Sequence, residues 1–181
     1  MKRPFWGFAA AILALVIREL AAPYVVICIY FAWQGRRTAE LWAWLGGLAV
    51  FAGYFVWHAA MVHAQLGPDD IAYRDSWIQF GGPGFVLATA AFNGVFIAEP
   101  LWATAILLPL CVVGLIAWRG PGSCRVGVTV AAYLCLFAIV GKRFNDYWGG
   151  LYTPLMMMGV AFLPAGVRDL VGALRGPALP R

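Results

Sequence analysis

The sequence predicts an all-α fold, a polytopic transmembrane helical bundle of about 4–6 membrane segments that include broken or re-entrant half-helices. Three observations predict it. Of 181 residues, 63% are hydrophobic and only 12% are charged, with a mean hydropathy of +0.80; a soluble domain carries about 25% charged residues. The charges lie in clusters between long apolar runs, the pattern of membrane helices. Those runs lack the two-residue alternation of a β-barrel strand. Residues 1–175 read as one integral-membrane helical domain and 176–181 as a flexible tail.

Taken in order, residues 5–33 form the first apolar region, interrupted by Arg18-Glu19 and Pro23. This is either one long kinked helix or two half-length helices meeting at "RELAAP"; Pro suits the first turn of a new helix and so favours a break. The start, "MKRPFWGFAAAILALVI", runs into Arg18-Glu19 instead of a small-residue cleavage site, so it reads as a segment and not as a removed signal. Residues 41–63 make a clean span. Residues 85–98 are apolar but too short to cross, which makes them re-entrant or superficial. Residues 101–118 form a short span, and 126–140 and 151–163 form marginal ones.

Thirteen Lys and Arg against eight Asp and Glu give a net charge of +5. The basic residues sit mainly at the ends of apolar runs, so they read as topology signals and lipid-headgroup contacts, and no nucleic-acid partner is expected. Arg36 and Arg37, Arg119 and Arg125, and Arg168, Arg175 and Arg181 are placed on the cytoplasmic side of a bacterial inner membrane. The polar clusters then face outward: Arg18, Glu19, His58, His63, residues 69–75, and residues 142–148. Lys142 and Arg143 oppose the positive-inside rule.

Four groups are candidates for chemistry. Arg18 and Glu19 lie in an apolar region, where a charge is costly and is paired or functional. Asp69, Asp70 and Asp75 around Arg74 form an acidic site able to hold a divalent cation or to act in acid–base chemistry; a solvated loop has the same composition. His58 and His63 are five residues apart, on different helix faces, so no metal site is expected. "GKRFNDYWGG" is the densest group. Lys142 and Arg143 suit a phosphate, Asn145 and Asp146 suit sugar hydroxyls, and Tyr147 and Trp148 offer flat faces to a sugar ring or to the membrane interface. Cys28, Cys111 and Cys135 read as small buried hydrophobes. "LGGLAVFAG" reads as a surface for close helix approach. No nucleophile elbow, P-loop, dinucleotide fingerprint or haem motif occurs, so no cofactor is expected.

"RELAAPYVV", "LWAWLGGLAVFAGYFVWHAAMVHAQLGPDD" and "FNDYWGGLYTPLMMMGVAFLPAGVRDLV" together resemble the carboxy-terminal half of bacterial cell-surface glycopolymer formation proteins, which resemble the C-type membrane glycosyltransferases. The resemblance implies a lipid-linked sugar donor, typically a polyprenyl phosphate, used on the outer membrane face. It implies that "RELAAP" and "FNDYWGG" line the cavity. Members of that group carry their catalytic acid in an earlier outer loop, to which Asp69 and Asp70 do not correspond, so no catalytic residue is assigned. Expected partners are membrane lipids and a lipid-linked sugar. A different class of function is a non-catalytic subunit of a larger membrane complex.

Overall fold

A computed structural model describes residues 4–67 and 79–175. All regular structure among them is helical: α1 (Pro4–Ile17), α2 (Ala22–Gln34), α3 (Thr38–Gln65), α4 (Gly82–Ala91), α5 (Leu101–Ala117), α6 (Ser123–Ile139) and α7 (Thr153–Leu174), with 3₁₀ runs at Glu19–Ala21 and Arg143–Leu151. The chain divides into two compact units, within residues 1–76 and 77–181. The acidic triplet Asp69, Asp70 and Asp75 and the tail 176–181 lie outside the described residues.

Two helices, α3 and α7, are long and apolar enough to cross a membrane. The 28 residues of α3 extend about 42 Å. The α5 and α6 helices have 17 residues each and α4 has ten.

In the first unit the apolar region 5–33 is two helices, not one. Arg18 is extended (φ −151°, ψ 115°) and ends α1, and Pro23 sits in the first turn of α2, where its missing N–H costs nothing. The α2 helix turns back into α3 through a short link at Arg36 and Arg37. The α1 helix lies along the first half of α3 in the same direction: Phe8 packs edge-on against Trp44, and one turn later Ile12 packs over Gly47. The shared core is Ala11, Leu15, Val25, Cys28, Ala32, Trp44 and Phe51. Burial on α3 then stops, and residues 52–67 are all exposed. The α1–α2 pair thus covers only half of α3, and the bend at Arg18 and Glu19 comes beside the middle of that helix.

In the second unit α5 and α7 run parallel in backbone contact. A Cβ on Gly114 would strike the Gly159 carbonyl, and one on Gly159 would strike the Cys111 carbonyl. Further along, Arg119 donates to Asp169 at 3.2 Å. Within "LGGLAVFAG" close helix approach is found at Gly47, which lies under Ile12 of α1, whereas Gly46 and Gly53 face open space. The α6 helix returns from Ser123 to Ile139, and α4 packs on its end, with Phe85 edge-on to Phe137. The last apolar run, residues 151–163, extends into its flank, and α7 continues through Pro164 to Leu174. One expectation is corrected. Cys135 is exposed, because it lies on the outward face of α6, whereas Cys28 and Cys111 are buried as expected.

Replacing Gly159 by Val would force α5 and α7 apart and cost about 3 kcal/mol or more, at the upper end for overpacking. Gly46→Ala, made into open space, would be neutral or stabilising by up to about 1 kcal/mol. Thermal unfolding of both variants in detergent checks the contrast.

Candidate functional site

The stretch 141–153 is not a plain loop. Its core is a nine-residue 3₁₀ run, Arg143–Leu151, preceded by Lys142 as N-cap. In a 3₁₀ helix residues three apart eclipse one another. That period places Lys142, Asn145 and Trp148 on one face and leaves Phe144, Asp146 and Tyr147 off it. Burial follows the period: Lys142 is 8% exposed, Asn145 0% and Trp148 6%, whereas Phe144, Asp146 and Tyr147 are exposed. Asn145 breaks the run with φ −103° and ψ 23°, in the sparsely populated bridge region.

The inward face is held by rings and by one close backbone contact. Trp148 packs on Phe137 at 5.7 Å and edge-on to Phe85 at 6.1 Å. Gly149 lies directly on the Thr89 carbonyl, where no Cβ fits. Gly141 N–H donates to the Gln79 carbonyl at 2.8 Å, which ties the entry of the bend to the chain before α4. The Lys142 ammonium lies 5.5 Å from the centre of the Phe144 ring, within cation–π range.

At the exit, Tyr152 is fully buried and stacks on Tyr133 at 6.1 Å. The Thr89 hydroxyl donates to the Val86 carbonyl at 3.0 Å, so it accepts from the Tyr152 hydroxyl, also at 3.0 Å. Burial pushes the Tyr152 hydroxyl up to about 12. It is therefore a neutral donor at ordinary pH. Thr153 donates to the Phe92 carbonyl at 3.0 Å, which fixes the segment after α4 to the start of α7. Because α5 and α7 run parallel, Glu99, just before α5, shares this end of the unit with the bend.

Three polar atoms on the inward face are enclosed without a hydrogen-bond partner: Nδ2 and Oδ1 of Asn145 and Nε1 of Trp148. A buried amide is nearly always satisfied, and leaving such a group bare costs about 1–3 kcal/mol. Together these atoms offer donors and an acceptor.

The structure thus brings together Lys142, Asn145 and Trp148 of the predicted residues. Arg143 opens the 3₁₀ run. Asp146 and Tyr147 face outward, and the Asp146 carboxylate accepts from the Tyr147 N–H at 2.9 Å. Arg18, partly buried, and Glu19, exposed, belong to the first unit, as do the exposed His58 and His63. Thr89, Tyr152 and Glu99 were not singled out from sequence. The three-residue spacing of Lys142, Asn145 and Trp148 was the legible signal for the inward face; nothing local marks Thr89 as a partner of Tyr152.

Thr89→Val would strand the Tyr152 O–H and cost about 1–3 kcal/mol, and Tyr152→Phe about 1 kcal/mol. The double variant would lose less than the sum, because it removes both partners of one bond. Chemical unfolding of the three variants measures this, and strictly additive losses would refute the bond. In comparisons with protein-family models, curated proteins and solved structures, the chain matches none.

Proposed function

We propose that this chain is an integral protein of the bacterial inner membrane that handles lipid-linked sugars for cell-surface glycan assembly, through a glycosyltransferase-like site at the bend 141–153. The observation that carries the reading is Asn145, wholly enclosed with both amide atoms unpartnered, three residues before Trp148, whose Nε1 is enclosed in the same way. Asn145 and the indole N–H would hold sugar hydroxyls, and Lys142 and Arg143 would neutralise the phosphate. Among the described residues, Glu99 and Asp146 are carboxylates at this end that a transfer reaction would draw on as acid or base. Orientation is supported within the second unit. Arg119 and Arg168 lie at the end marked by the Arg119–Asp169 pair, and the bend lies at the other, so the positive-inside rule turns the bend outward. At 17 residues, α5 and α6 reach the lower limit for a span.

One further observation favours a complex subunit as the alternative. The second half of α3 exposes Tyr54, Phe55, Val56, Trp57, Met61 and Val62, a surface a partner helix would cover; stable co-purification with another membrane protein would support it.

The test is binding of a polyprenyl-phosphate sugar, with polyprenyl phosphate alone as the comparison, to the full chain in mild detergent. Asn145→Leu would weaken binding of the sugar-bearing lipid about tenfold or more, the equivalent of about 1.4 kcal/mol. The same variant would unfold at a higher temperature than the wild type, because it removes unpaired buried atoms. Unchanged binding in Asn145→Leu would overturn the assignment.

A further inference from the structure

The two faces of α5 in the second unit are packed differently. Toward α7 the backbones touch at Gly114 and Gly159. Toward α6 the helices part around a cleft of about 530 Å³, with Leu115 and Ile116 on one wall and Val128 and Leu134 on the other. Protein interiors are close-packed, and an apolar cavity stays dry and takes an apolar guest. The cleft ends at Ser123 and Arg119. The Arg119 side chain is 83% exposed and bonded to Asp169 through one amine, Nη2. A guanidinium has five N–H donors in a fixed fork, so others remain for an anion. Arg168 stands beside the same Asp169, which leaves this end net positive.

We infer that the α5–α6 cleft is a lipid site holding one acyl chain of an anionic phospholipid, with the headgroup phosphate at Arg119. The occupant follows from charge complementarity at the rim and the apolar walls beneath it: an inorganic anion would leave the walls empty, and a neutral lipid would leave the cation unused. The site is separate from the bend, about 25 Å away along the 17 residues of α6. The inference rests on the membrane reading of the chain and is independent of the sugar site.

The experiment uses the full chain, loaded in vesicles of phosphatidylglycerol and phosphatidylcholine, extracted in mild detergent and diluted into lipid-free detergent. Native mass spectrometry then reads the lipid retained. The wild type is expected to keep one phosphatidylglycerol per chain; retention of none, or of both lipids equally, overturns the inference without any variant. Ala131→Phe, which fills the cleft, should lower retention at least tenfold, and Val128→Trp serves the same purpose if that variant does not fold. Arg119→Gln should abolish the preference for phosphatidylglycerol. Asn145→Leu should leave retention unchanged. Full retention in the filled cleft, a preserved preference without Arg119, or loss on changing Asn145 would each overturn the assignment. Failure of polyprenyl-phosphate sugar binding would leave these results intact, so the two readings fail separately.

Discussion

The backbone contact between α5 and α7 sets the geometry of the second unit. With no side chain at Gly114 or Gly159, the two helices meet carbonyl to Cα. In lipid such packing matters more than in water, because apolar side chains gain nothing by leaving one another for acyl chains. Since the pair runs parallel, the starts of α5 and α7 share one end and their finishes share the other. Parallel neighbours need a return element, and α6 provides it. The chain must then turn from the end of α6 into α7, and the 3₁₀ run makes that turn. The Arg119–Asp169 pair at the far end and the Thr153–Phe92 bond at the near end follow from the same alignment.

The bend itself is expensive. It buries a lysine, an asparagine and an indole N–H on one face, and the asparagine amide finds no protein partner. A leucine at 145 would pack there without that penalty. The surrounding framework tolerates the cost because it is overdetermined: rings on Trp148, the Gly149 backbone on Thr89, and the Tyr152 hydroxyl on the Thr89 side chain all fix the bend independently.

Much of this was legible in the residues. Helical content, the break before Pro23, the long α3 and the shortness of the segment at 85 all follow from apolar run length and proline chemistry. The extension of α7 past residue 163 carries Pro164 inside the helix; within 22 residues the lost hydrogen bond is tolerated. In sequence the bend is legible only as a list of residue types. That list is incomplete in arrangement, because a 3₁₀ period sorts Asn145 and Trp148 inward and Asp146 and Tyr147 outward. The Thr89–Tyr152 bond joins residues 63 apart in sequence, and no local pattern encodes it. The placement of helix-packing glycines was also hidden. Gly46 and Gly114 look alike in sequence, and only their neighbours distinguish them.

Helix length bears on the depth of the first bend. Counting back from Arg36 places "RELAAP" at or just under the opposite membrane face. The α2 helix, however, has 13 residues and extends only about 20 Å, against a hydrocarbon core of about 30 Å. The alignment of Phe8 with Trp44 and Ile12 with Gly47 puts the bend beside the middle of α3. If α3 crosses the bilayer, Arg18 and Glu19 stand near its centre and not at its edge. A charge at that depth costs about 2.5–3.5 kcal/mol on insertion scales, unless polar groups or water reach it. The same short hairpin leaves residues 52–67 of α3 uncovered, so the mid-helix level of the two charges and the bare half of α3 have one cause. Lengthening α1 and α2 would remove both at once; that neither is longer ties the depth of the two charges to the length of their helices.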